Sequence, residues 1–389
     1  MSVIQNRCFE RRETILKAAI WFMSFLAVSR LAYQLWRLLL NPGWNGAIDL
    51  RIMYESVNQW FKGEALRELI HLPATYAIIW PLTGWLSFES ARWLWAVLYA
   101  VSLVWLFRIV AAETGIKKRE EILFAALFIL SIYPTGITIG NGQVILFLLP
   151  CILTAVFMER EHESGIIRDI ILSLLFLISS LKITVTAPFF LIALITQRAI
   201  RPLTIAACGY LILTYVAISY RDAGLVETLK IWMHDCSAVA ARGGYANIHI
   251  WLITLGLERL IFPASFVLIA AFSLWLFKFR KTDIWIQLGV AAIVARIWTY
   301  HRLYDDLLIL VPIIAIFRIV RNNQLSPNER LAADLLLVIT WLALLSPGTF
   351  LQLPPPLGTL FRTGQAVIWL SLLVFLVYYS YKAVRTGPA

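Results

Sequence analysis

A carboxylate and a set of cations stand in this sequence where charge is costly. Asp49 follows the first long apolar run. Asn141-Gly142-Gln143 sits at a break between two others, and Lys182 interrupts a third. Arg242-Gly243-Gly244 and Asn247 lie in a polar loop. His301-Arg302 closes a further apolar run, with Asp305 and Asp306 just behind. Ionisable groups beside hydrocarbon mark function by default. One carboxylate at a membrane surface can act as general base toward a hydroxyl. Lys182, His301, Arg302 and Arg296 are the cations available to neutralise a phosphate and stabilise it as it leaves. A base beside a phosphate cradle, next to lipid, suits glycosyl transfer from a lipid-linked phosphate sugar.

Each of these residues also has a structural reading. Asp49 is a good N-cap for a following helix. Asn141-Gly142 is a good turn by itself, and Lys182 can snorkel to the interface. His301 between Tyr300 and Tyr304 can be a satisfied interfacial histidine, and Asp305 and Asp306 can pair with Arg302 or Arg296. The functional reading rests on their falling on one side of the membrane, which the surrounding elements decide.

Those elements are apolar. The 389 residues are 60% hydrophobic and 15% charged, with mean hydropathy +0.77. Soluble domains carry about 25% charge, and their helices keep a polar face. Windows such as Trp21–Val28 and Ile122–Tyr133 keep none. The expectation is an all-α, polytopic membrane protein, one domain over 1–389. Twelve spans are predicted: 18–40, 91–112, 122–139, 144–158, 167–181, 184–196, 203–220, 260–277, 284–300, 303–319, 331–345 and 365–381. Residues 167–196 read either as a broken pair or as one long tilted helix. The first run lacks a cleavage site and reads as a retained span.

Residues 49–88 differ. Charges alternate with Met53, Val57, Trp60, Phe61 and Leu66, the spacing of an interfacial helix. His71–Phe88, punctuated by Pro73 and Pro81, reads as a second interfacial or re-entrant element. If it does not cross, more than half of the 34 Lys and Arg fall in short loops on one side, as the positive-inside rule requires; if it crossed, that bias would invert. Both termini are then expected in the cytoplasm. Asp49, Gln143, Lys182, Asn247, His301 and the long loop 221–259 are expected outside. The formal charge of +11 is accounted for by these loops, and no nucleic-acid partner is expected. Cys8, Cys151, Cys208 and Cys236 have no metal-like spacing. No nucleophile motif, metal-ligand cluster or Gly-rich phosphate loop occurs, so no cofactor is expected.

A string of short blocks resembles glycosyltransferase family 87, within the GT-C membrane glycosyltransferases. The blocks are Asp49-Leu50 with Tyr54 and Gly63, Tyr76 to Pro81, and Gly142-Gln143-Val144-Ile145-Leu146. Leu181-Lys182, Asn247-Ile248-His249 and Trp298-Thr299-Tyr300-His301-Arg302-Leu303-Tyr304 follow in order, so the resemblance covers residues 49 to about 312. The chain departs from the family at Lys182-Ile183, where Lys-Pro is usual, and at Asn247-Ile248-His249, where Asn-Gln-Ser is usual; both bear on substrate identity. The resemblance implies a GT-C fold. It also implies inverting transfer of a sugar, mannose first, from a polyprenyl-phosphate donor to a lipid-linked or glycan acceptor at the outer face of a bacterial plasma membrane. It makes Asp49 and His301 the catalytic residues. Tyr76, Asn141, Gln143, Lys182, Asn247 and Arg302 become the substrate-binding residues. The rival readings are a lipid or sugar transporter, which broken spans would suit, a non-catalytic scaffold of the envelope, and an enzyme using polyprenyl-phosphate arabinose or glucose.

Overall fold

The structure, a computed structural model, describes residues 3–160, 165–241, 244–322 and 325–386. These form helices and no strands. Within hydrocarbon every backbone N–H and C=O needs a partner in its own segment, and a helix supplies one. In chain order the helices are α1 (Val3–Leu39), α2 (Ile48–Phe61), α3 (Pro73–Thr83), α4 (Phe88–Thr114), α5 (Arg119–Ser131), α6 (Tyr133–Asn141), α7 (Ile145–Arg160) and α8 (Ile166–Ser179). Then come α9 (Ile183–Ile195), α10 (Ile200–Ile218), α11 (Leu225–Ala241), α12 (Ile248–Thr254), α13 (Ile261–Lys278), α14 (Ile284–Ile297), α15 (Leu310–Arg321), α16 (Pro327–Leu345) and α17 (Leu357–Thr386). Local chemistry sets several ends. Ser87 accepts from the Ser90 N–H at the start of α4, and Gly115, at φ +61°, ends it. Ser326 and Glu329 close a capping box around Pro327 at the start of α16.

Six stretches are long and apolar enough to cross a membrane: Thr14–Leu39, Phe88–Thr114, Ile166–Ile195, Ile200–Ile218, Glu258–Lys278 and Leu357–Arg385. The bent pair α5–α6, with 51° between its helices, makes seven if counted as one. This is fewer than the twelve expected from the sequence. For α14 there is a physical reason. α14 is buried at every residue, packed among α9, α15 and α17. A helix surrounded by protein need not match the thickness of the hydrocarbon.

Contacts sort the helix ends into two groups. At one end, Trp285 Nε1 donates to Glu113 Oε2 at 2.8 Å, Gln197 Nε2 to the Val156 carbonyl at 2.8 Å, and Arg201 pairs with Asp169 at 3.1 Å. At the other, Arg37 Nη2 donates to Asn141 Oδ1 at 2.8 Å, Trp298 Nε1 to the Thr184 carbonyl at 2.6 Å, and Lys182 pairs with Asp305 at 2.6 Å. The stretch Ile166–Ile195, long enough by residue count, therefore runs from the first end to the second and back as two short arms, not as one straight crossing. Asp169 and Gln197 share one end, and Lys182 lies at the other. The reversal is a 3-10 turn, Ser180–Lys182. There Lys182 leaves helical backbone (φ −134°, ψ 74°), and Thr186 Oγ1 donates back to the Ser179 carbonyl at 2.9 Å. Of the two sequence readings of this segment, the broken pair is the one these contacts describe.

α2 and α3 lie at the Lys182 end. α3, at 11 residues, is far too short to cross ~30 Å of hydrocarbon. It packs along α10, Tyr76 stacks on Trp60 at 4.8 Å, and Tyr54 Oη donates to the Leu86 carbonyl at 2.8 Å. The chain thus returns to the same end before α4 begins.

Candidate active site

Asp49 sits in the first turn of α2, where the helix dipole favours a carboxylate. It is not the cap. The cap position is Ala47, in left-handed backbone at φ 50°, with no side-chain hydrogen bond. Asp49 Oδ2 is buried and has no hydrogen-bond partner. Burial pushes the carboxyl above its ordinary range, while the nearby side-chain amides of Gln143 and Asn141 and the charges of Arg302 and Lys182 pull the other way. Five expected site residues therefore converge: Asp49, Asn141, Gln143, Lys182 and Arg302.

The local sequence explains how Gln143 arrives there. Gly142 ends α6 at φ +80°, a conformation that favours glycine. A Cβ at this position would stand 2.4 Å from Leu50 Cβ, so glycine also lets the turn touch α2 one residue after Asp49. Trp95 Nε1 holds the Gly142 carbonyl at 3.1 Å and Tyr99 Oη the Gln143 carbonyl at 2.8 Å. Asn141 is oriented by Arg37 through its Oδ1.

Behind this group lies a charge cluster on the 3-10 helix Leu303–Ile309. Lys182 Nζ meets Asp305 Oδ1 at 2.6 Å and lies 4.7 Å from the Tyr304 ring centroid. Asp305 Oδ2 accepts from His301 Nδ1 at 3.0 Å and from the Arg302 N–H at 3.2 Å. His301 is fully buried, and its Nε2 lies 3.0 Å from Thr299 Oγ1. An ionised Asp305 makes Nδ1 the protonated nitrogen, so Nε2 accepts from Thr299. Burial lowers the His301 pKa, with Asp305 opposing it. For Asp305 itself burial is outweighed by Lys182 and His301, which hold it below the carboxylate range. Asp306 forms a second layer: Arg296 Nε pairs with its Oδ1 at 2.5 Å, and Tyr245 Oη donates to its Oδ2. Arg302 is exposed and donates to Tyr300 Oη.

Asn247 and Tyr76 stand apart. Asn247 is fully buried and spends its amide on the α12 cap, accepting from Ile250 N at 3.0 Å and donating to the Tyr245 carbonyl at 3.2 Å. Tyr76 is enclosed between Trp60 and the edge of His71. Arg242 and Gly243 lie outside the described residues. Sequence reasoning missed Tyr99, Tyr300 and Tyr304, all of which feel the Asp49 charge. It also missed His71, which burial and Lys182 lower to about 4. The spacing of Tyr300 and Tyr304 around His301 was the available signal; Tyr99 and His71 carried none. Among the described residues no three His, Cys, Asp or Glu side chains are grouped to hold a metal ion.

The sequence profile of glycosyltransferase family 87 matches residues 71–347, more than half of the chain. The chain belongs to glycosyltransferase family 87. No curated protein and no solved structure matches it. Family membership makes this a membrane glycosyltransferase, which acts on a sugar donor and an acceptor, and sets aside the transporter and scaffold readings. The family 87 interval includes Gln143, Lys182, His301 and Arg302; it begins after Asp49, whose place in the site rests on geometry.

Proposed function

We propose that this family 87 protein transfers a sugar, mannose first, from a polyprenyl-phosphate donor to a hydroxyl of a lipid-linked or glycan acceptor, with inversion and with Asp49 as the base. One observation carries the reading: a buried carboxylate oxygen without a donor, beside an exposed arginine. The oxygen lacks an O–H, and an acceptor hydroxyl supplies one. As the acceptor's hydroxyl oxygen attacks the anomeric carbon, its proton passes to Asp49, the anomeric C–O bond to phosphate breaks, and polyprenyl phosphate leaves. A raised pKa suits a base that must take a proton from an alcohol. Arg302, exposed and forked, is the cation best placed to meet the leaving phosphate. Lys182 contributes its charge from behind, since Asp305 already pairs with it. His301 acts as a positioning residue that fixes Asp305 and through it Lys182. Gln143 and Asn141 orient the carboxylate, and Asn247 and Tyr76 shape the surrounding walls. The site opens on the outer face, with Lys117 on the cytoplasmic side.

The test uses purified protein in lipid nanodiscs, with polyprenyl-phosphate mannose, glucose and arabinose offered in turn. Mannose should turn over fastest, and the anomeric configuration of the product, read by NMR, should be the reverse of the donor's. Retention would overturn the single displacement, and faster turnover of another sugar would overturn mannose. Cysteine labelling that placed Lys117 outside would overturn the sidedness.

A further inference from the structure

A second group of cations stands across α2 from the site. Arg51 follows Asp49 by two residues, which turns it about 200° around the helix, toward the start of α4. Its guanidinium lies 4.5 Å from the centroid of the Phe88 ring, and that of Arg92 lies 5.6 Å from the same centroid. The two charges repel. Glu89 acts weakly on Arg92 from the exposed side, but among the described residues no carboxylate forms an ion pair with either arginine.

Arg92 is 5% exposed and built in. Its Nε donates to the Leu38 carbonyl, and its Nη2 to those of Arg37 at 3.1 Å and Asn41 at 2.9 Å. These are carbonyls that the end of α1 leaves without helical partners. Its Nη1 makes no hydrogen bond. Arg51 Nε is buried and has no hydrogen-bond partner. Two like charges on one aromatic ring, one of them with a buried donor left unpaired, are costly by themselves. A bound anion removes both costs.

The surroundings indicate which anion. Trp44, in the loop before α2, and Trp85 and Trp93, close in sequence to Phe88 and Arg92, are exposed, and tryptophan concentrates at the headgroup level of a bilayer. α4 begins its membrane stretch at Phe88. Phospholipid phosphates occupy this level. We propose that Arg51 and Arg92, straddling Phe88, form a second anion subsite that holds the phosphate of a phospholipid-borne acceptor. The subsite and Asp49 are separated by the width of α2, on the order of 10 Å. That spacing lets a headgroup anchored by its phosphate present a more distal hydroxyl to the base. The orientation of the headgroup rests on the proposed role of Asp49; the binding of the phosphate does not.

The test is native mass spectrometry of the detergent-purified full chain, offered phosphatidylglycerol, diacylglycerol or a short-chain prenyl phosphate. Arg51→Gln should lower retention of phosphatidylglycerol by roughly tenfold, the loss of a charged hydrogen bond. Diacylglycerol and prenyl phosphate should be retained as before. Arg302→Gln should do the reverse, losing prenyl phosphate and keeping phosphatidylglycerol. Arg51→Lys, which keeps the charge, should fall between wild type and Arg51→Gln. Unchanged phosphatidylglycerol retention in Arg51→Gln overturns the subsite. So does an equal loss of diacylglycerol, which signals general damage, or a loss of prenyl phosphate, which assigns Arg51 to the donor. Displacement by equimolar inorganic phosphate overturns the headgroup as its ligand. No turnover is needed, so the subsite and the Asp49 mechanism can fail separately.

Discussion

Three carboxylates of the candidate site, Asp49, Asp305 and Asp306, lie at one end of this molecule, and they are held in two ways. Asp305 and Asp306 are each 1% exposed and saturated. Lys182, His301 and a backbone N–H meet the first; Arg296 and Tyr245 meet the second. Asp49 is less buried yet keeps an oxygen with no partner. Burial alone therefore does not separate scaffold from chemistry here; satisfaction does. A saturated carboxylate has nowhere to accept a proton from substrate. An unsaturated one is costly until a hydroxyl arrives, and that difference is available to catalysis.

The comparison predicts opposite consequences for the same substitution. Asp49→Asn keeps shape and removes the base, so turnover should fall by about 10²–10⁴-fold with thermal unfolding in detergent nearly unchanged. Asp305→Asn should cost about 3–5 kcal/mol of stability, because it leaves Lys182, itself 17% exposed, without its counter-charge. A stable Asp305→Asn variant that fails at the chemical step would exchange the two roles.

Acidity sharpens the contrast. The Asp49 pKa is raised in the fold, so its contribution to stability is present at low pH and lost as pH rises through that value. Activity runs the other way and should fall about tenfold per pH unit below the raised pKa. The Asp305 pKa is depressed, so its contribution holds above the unfolded value of about 3.9 and disappears only as pH falls through the lower native one. As pH falls through the raised Asp49 pKa, activity should decline while the melting temperature does not fall. A parallel decline of both would place the titrating group in the scaffold.

The smallest effect is expected at the opposite end. Glu329 and Lys382 pair there at 2.6 Å, with side chains 14% and 31% exposed. Glu329→Gln should change stability by less than about 1 kcal/mol and leave turnover alone. A large loss of activity would extend the functional region through the whole bundle.

What the sequence by itself determined was local. Apolar runs dictate helices in lipid because backbone groups must pair within a segment, and the turn at Asn141-Gly142 and the amphipathic helix that holds Asp49 could be read from spacing. The placing of Asp49, Gln143, Lys182 and Arg302 on one face followed from loop charges, since that bias is summed along the chain. Tertiary structure decided the rest. The enclosure of α14 by protein rather than lipid could not be read from its sequence, because it leaves no trace in its hydropathy. The reversal at Lys182 stayed open because a 3-10 turn inside an apolar stretch looks like helix. Lys182 and Asp305 are 123 residues apart, so no local pattern could name them as partners over Arg302 or Arg296. Asn247 and His301 bear the right residue types, but whether a polar side chain faces substrate or is spent on its neighbours depends on what packs around it. The unpartnered oxygen of Asp49 is the same kind of fact: a missing hydrogen bond exists only after every other chain segment has taken its place.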